Sequence, residues 1–137
     1  MLALVPYETL NSRQKENYNF QKVAARLADY GFNSIRLTDD WQGADFIAVH
    51  IDGETFLKIQ LKGRLVIDRK YVGKGIHVAF LYGDELYLYD HDRFVQHLES
   101  NSLIGADSVT WHEKGFRSWP IPPSWAINYL ADFRIAQ

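Results

Sequence analysis

Apolar residues first recur at helical spacing. Phe20, Val23, Ala24, Leu27 and Tyr30 form one stripe, which predicts a helix capped by Asn11 or Ser12, running to about Tyr30 and stopped by Gly31 in the left-handed conformation. Glu16 stands one turn before Phe20 on nearly the same face. The period then shortens to two. Residues 32–37 read as a strand and 38–43 as a loop. Residues 45–51 and 54–62 read as two strands joined by Asp52-Gly53, a strong signal for a two-residue hairpin turn. A second hairpin is expected from residues 76–82 and 86–89 around Gly83-Asp84-Glu85, followed by a short helix capped by Asp90 or Asp92 and ending near Leu98. Further on, residues 108–111 suit a last strand. Residues 119–123, with three prolines, must be extended, and Ser124 can cap a helix from Trp125 to about Phe133. No repeat or linker divides the chain, so residues 1–137 read as one domain. The order of elements predicts an α/β (or α+β) fold, a mixed central sheet with helices packed on it.

The hairpin signal sets a register. If Ile51 faces Glu54, facing residues have numbers that add to 105, which puts Asp45 opposite Gln60 with Lys62 as its diagonal neighbour. Opposed side chains have Cβ atoms about 4.5–5.5 Å apart and diagonal ones about 7–8 Å. A carboxylate, an amide oxygen and an ammonium thus converge on one face. Ile47, Val49 and Ile51 share that face and are expected to be buried, leaving the polar cluster at one end of it. A divalent cation suits such a cluster. Asp45 offers an anionic oxygen, Gln60 a neutral one and the adjacent backbone a third, a hard donor set closer to the needs of Mg²⁺ than of Zn²⁺. Lys62 beside it can stabilise charge on a phosphoryl group or orient a water. Glu16, on the helix face that packs toward the sheet, is the candidate second carboxylate; a favourable anion in a first helical turn is its other reading.

Composition narrows the setting. The chain has 47% hydrophobic and 23% charged residues, as a folded domain does, and no cysteine, which excludes disulfides and thiolate zinc sites. No run approaches the length that spans a bilayer, and residues 1–5 lack the basic flank of a signal peptide, so a cytoplasmic protein with no membrane partner is expected. Net charge is −2, but residues 58–75 hold six cations and one aspartate, a local +5 on a remainder of −7. That asymmetry suits a polyanion held on one face, although a solvated lysine-rich loop accounts for it equally well.

Several other residues have structural readings. Asp90-His91-Asp92 is explained by helix capping, and Asp39 and Asp40 by turn formation. His50, His77, His97 and His112 show no ligand spacing. Trp41, Trp111, Trp119 and Trp125 suit packing better than stacking on bases.

Gly43-Ala-Asp45, a turn, and Ile59-Gln60-Leu61-Lys62, after a helix ending in Gly31-Phe32, resemble the core of the PD-(D/E)XK nuclease superfamily, in the variant with Gln-x-Lys found in Mrr-like restriction endonucleases. The resemblance spans about residues 12–90, and the tryptophan-rich segment from about 105 to 137 lies outside it. It implies a restriction-endonuclease-like sheet in which Asp45 and Gln60 position Mg²⁺ (or Mn²⁺) while Lys62 assists phosphodiester hydrolysis, with DNA as the partner. Arg64, Arg69, Lys70 and Lys74 would then hold phosphates. Where many members carry a glutamate in the first helix, this chain has Phe20 and Gln21. Either Glu16 reaches the site instead, or Gln21 ligates through its amide, or the domain binds nucleic acid or a protein partner without cutting. A homodimer through aromatics around residues 111–125 is a further expectation.

Overall fold

The computed structural model describes residues 1–104 and 108–136. The first helix, α1 (Ser12–Ala28), begins with a reciprocal cap: the Asn11 side chain accepts from the Gln14 N–H and the Gln14 side chain from the Asn11 N–H. Gly31 ends the turn after it at φ +85°, as the sequence predicts. Strand β1 (Phe32–Trp41) runs through the residues expected to loop. Its turn into β2 (Ala44–His50) is Gln42-Gly43, with φ of +55° and +88°, the double positive φ that lets a two-residue turn follow the twist of paired strands. Strand β3 (Phe56–Lys62) pairs with β2 in the predicted register, Phe46 against Ile59 through Val49 against Phe56. The connection between them is wider than predicted: the His50 N–H donates to the Thr55 carbonyl (2.9 Å) around residues 51–54. The extra width lets Asp52 accept from the Thr55 hydroxyl and from the Thr55 and Glu54 N–H groups at 2.6–2.8 Å, which holds its carboxyl well below the usual carboxylate range.

After β4 (Leu65–Asp68) the chain returns as β5 (Ile76–Tyr82), parallel to β3, and β6 (Glu85–Asp90). The result is a mixed five-stranded sheet in the order β1-β2-β3-β5-β6. Helices follow at α2 (His91–Ser100), α3 (Val109–His112) and α4 (Ser124–Leu130), with β7 (Phe116–Trp119) paired antiparallel to β4 in a separate ribbon. The strand expected at residues 108–111 is therefore α3, and the last strand lies a few residues later. Its helical hydrogen bonds continue into Gly115, whose N–H donates to the Trp111 carbonyl at 3.0 Å, while the Arg69 guanidinium donates to that same carbonyl at 2.7 Å. Burial of Trp111 outweighs the β propensity of Val109 and Thr110.

Helices thus flank the mixed sheet. On one face Val23 and Leu27 of α1 meet Phe46, Ala48, Ile59, Ala79 and Leu86. On the other, Val78, Phe80, Tyr87 and Tyr89 meet Leu65, Ile67, Tyr71, Phe94, Leu98, Trp111, Trp119 and Leu130. Of β1 and β2, this second layer takes in Leu37 and Ala44 and does not extend to Ile47, Val49 or Ile51. Ile47 and Val49 are half-buried and Ile51 is 86% exposed, so the fully buried residues of β2 are instead Ala44, Phe46 and Ala48, and the expectation for Ile47, Val49 and Ile51 is corrected. Among the described residues no helix is long and apolar enough to cross a membrane.

Candidate functional site

A cleft of about 770 Å³ opens where the end of β1, the start of β2 and the end of β3 meet the first turns of α1. Glu16, Asp45, Gln60 and Lys62 all line it. The Gln42-Gly43 turn starts β2 at Ala44, which delivers Asp45 to the rim; the β2–β3 ladder ends at Phe46 against Ile59, one residue short of Asp45 and Gln60, and both line the cleft. Gly43 is obligatory here: besides its positive φ, a Cβ would stand 2.8 Å from the Tyr71 ring. Asp45 is half-buried and its Oδ2 accepts from the Leu61 N–H at 2.9 Å, which ties the carboxylate to the strand that carries Gln60 and Lys62. The Lys62 ammonium lies 5.9 Å from the centre of the Tyr71 ring.

The cleft holds more than the sequence pointed to. Asp39, read as a turn residue, is on β1 and lines it as a further carboxylate; the Asp40 side chain lies outside the described part of the structure. Arg13 and Arg36 line it too. The Arg36 guanidinium donates to Asn17 Oδ1 and sits 5.4 Å from the centre of the Phe20 ring. Gln21 is exposed and not in the lining, while Phe20 lines the cleft and packs edge-on against Phe46 at 5.0 Å. Glu16 is thus the helix carboxylate that reaches the cleft. Among the described residues no three histidine, aspartate or glutamate side chains gather as metal ligands. A cation held here would rest on Asp45 and Glu16 or Asp39, with the Gln60 amide, backbone oxygens and water completing its shell. Those hard oxygens fit Mg²⁺ or Mn²⁺.

Arg64, Arg69, Lys70 and Lys74 are exposed, and none is in the lining. Arg69 is used within the fold: besides its bond to the Trp111 carbonyl, its guanidinium lies 5.3 Å from the centre of the Trp111 ring. Lys70 pairs with Asp68 at 3.7 Å. Asp90 caps α2 by accepting from the Arg93 N–H at 3.2 Å, and Asp92 accepts from the Gly73 N–H at 3.1 Å. His91 between them is fully buried; its Nε2 accepts from the Asp68 N–H at 2.9 Å, and burial lowers its pKa. Of the aromatics around residues 111–125, Trp111 and Trp119 are buried, Trp125 is half-buried and packs edge-on against Trp119 at 5.8 Å, and Phe116 is exposed.

No protein-family model matches the chain, and no curated protein does. Among solved structures, that of a bacterial homing endonuclease, I-Ssp6803I, is similar over 62% of this chain and 69% of that one, with 18% sequence identity and a TM-score of 0.47.

Proposed function

We propose that this chain is a metal-dependent nuclease of the PD-(D/E)XK type that hydrolyses phosphodiester bonds in DNA. The observation that carries the reading is the convergence of Glu16, Asp45, Gln60 and Lys62, from one helix and two strands, on a single cleft. Three carboxylates (Glu16, Asp39, Asp45) share that cleft with three cations (Arg13, Arg36, Lys62). The acids suit a metal ion and the bases suit a phosphodiester, charges an uncharged ligand would not engage.

When bound, Mg²⁺ or Mn²⁺ supplies positive charge to the phosphate oxygens and lowers the pKa of a water. Asp45, Glu16 and the Gln60 amide oxygen would hold it. Asp45 is oriented by the Leu61 N–H, so the carboxylate does not need to be ordered at the moment of reaction. Lys62 donates to a non-bridging phosphate oxygen, where negative charge builds as water adds to phosphorus, or to the attacking water itself. As the water oxygen bonds to phosphorus its proton passes to solvent, the P–O ester bond opposite it breaks, and the leaving oxygen takes a proton from solvent.

The exposure of Glu16 and the hydrophobic seat of Phe20, at the place where relatives of this type carry a glutamate, favour a second reading: a domain that keeps the cleft and binds nucleic acid without cutting it. Titration of Mg²⁺ or Mn²⁺ with supercoiled plasmid, branched and single-stranded oligonucleotides separates the two. Cleavage that needs the ion and disappears in Lys62→Ala and Asp45→Asn, with unchanged circular dichroism, is the result expected of a nuclease. Absence of cleavage on every substrate, together with no metal-induced rise in melting temperature, would leave the binding reading.

A further inference from the structure

We propose that the α1–β1 wall of the cleft is the phosphodiester-backbone contact, with Arg36 as its centre and Arg13 beside it. The basic turn at residues 64–74 is not that contact. The inference rests on nucleic acid being the ligand of the cleft and adds where its backbone runs.

Four observations carry it. Arg36 and Arg13 line the same cleft as Asp45, Gln60 and Lys62. Neither forms an ion pair among the described residues, so each brings a full positive charge to that surface. Arg36 is also braced: Asn17 accepts from one of its N–H groups and the Phe20 ring lies against the guanidinium. A guanidinium has five N–H donors in a rigid plane, so one bond to Asn17 leaves the others for an anion while restricting the side chain beforehand. Less ordering entropy is then lost when a phosphate is taken up bidentately. Arg13 and Asn17 are four residues apart on α1 and so occupy one face of it, which aligns both arginines along one wall. By contrast, Arg69 is bound to the Trp111 carbonyl and Lys70 to Asp68, contacts that a phosphate would have to displace.

The contact is sequence-independent and therefore visible in salt dependence. Anisotropy of a fluorescent duplex and of a single strand, measured in EDTA from 50 to 200 mM KCl, gives the slope of log K against log salt for each variant. Arg36→Ala is expected to lower the magnitude of the slope by about one, as loss of one phosphate contact does, and Arg13→Ala to lower it similarly. Arg36→Lys should keep most of the slope but bind more weakly, since an ammonium cannot make the bidentate contact. Lys74→Ala and Arg64→Ala should leave the slope unchanged. If Arg36→Ala melts early, because its bond to Asn17 is lost, Arg13→Ala carries the test. Unchanged slopes in both arginine variants with a reduced slope in Lys74→Ala or Arg64→Ala would overturn this proposal and leave the nuclease reading standing. A wild-type chain that binds neither oligonucleotide at 50 mM salt would overturn both.

Discussion

Asp45 has two jobs that mutation must keep apart. Its Oδ2 accepts from the Leu61 N–H, so Asp45→Ala leaves that half-buried donor unpaired at a cost of about 1–3 kcal/mol. Asp45→Asn keeps an acceptor oxygen and removes the charge. The expected result is a near-wild-type urea midpoint for Asp45→Asn, a lower one for Asp45→Ala, and loss of the metal-induced melting shift in both. Asp39→Asn should reduce that shift less, since Asp39 is exposed and free to retreat into solvent. His91 sets a pH dependence. Burial lowers its pKa from the ordinary 6.5, and its Nε2 accepts a hydrogen bond from the Asp68 N–H, which a protonated Nε2 could not do, so it is held neutral. The unfolded chain takes up a proton below about pH 6.5 where the folded chain resists it, so the contribution is complete above that pH and is lost as pH falls through the folded pKa. Burial lowers the pKa of His77 as well, in the same direction. Urea unfolding at pH 7.5 and 5.5 should show lower stability at the acidic end, and His91→Gln should narrow the difference. A gap of undiminished size in that variant would mean that His91 is not its source.

Elements position the cleft through their ends. The Asn11–Gln14 cap closes the turn of α1 that carries Arg13, Glu16 and Asn17 into it. Asn11→Ala removes a cap worth about 1 kcal/mol. A fall of roughly 3–5 °C in melting temperature should follow, and with it weaker oligonucleotide binding, because the cleft wall frays. The turns give a sharper contrast. Gly43→Ala forces a side chain into left-handed backbone and against the Tyr71 ring, whereas Gly53, at φ +75°, has open space around its Cβ position. Denaturant melts should therefore show Gly43→Ala losing clearly more than the roughly 1 kcal/mol of backbone strain expected for Gly53→Ala. Because Gly43 immediately precedes the strand that presents Asp45, its substitution should also impair the site, which Gly53→Ala should not. Gln42-Gly43 was not legible as a turn, since glutamine rarely adopts positive φ. For that reason β1 looked shorter than it is and Asp39 looked like a loop residue.

For the whole molecule, the C-terminal third is part of the core. β7 pairs with β4, Trp111, Trp119, Ala126 and Leu130 share a cluster with β5 and β6, and the Ile135 N–H donates to the Leu86 carbonyl at 2.8 Å. A chain ending at Ile104 is expected to lose cooperative thermal unfolding, because removing those residues uncovers Leu65, Ile67 and Phe94; a sharp melt from that fragment would show that residues 1–104 fold alone. The register of β2 on β3, the limits of α1 and the grouping of Asp45, Gln60 and Lys62 could be read from the chain, since each depends on neighbours a few residues apart: a period of two, a cap and a glycine stop. That Glu16 reaches the same cleft followed from the apolar stripe of its helix. The pairing of β4 with β7, the helical state of residues 109–112 and the burial of Trp111 and Trp119 depend on partners about fifty residues away, for which a single sequence carries no local signal. The same holds for the cations. Residues 64–74 stand out because charge is dense along the chain there, whereas Arg13 and Arg36 are 23 positions apart and come together only when α1 packs across β1. Local periodicity specified the strand pair and the three side chains at its end, and long-range packing specified which charges surround them.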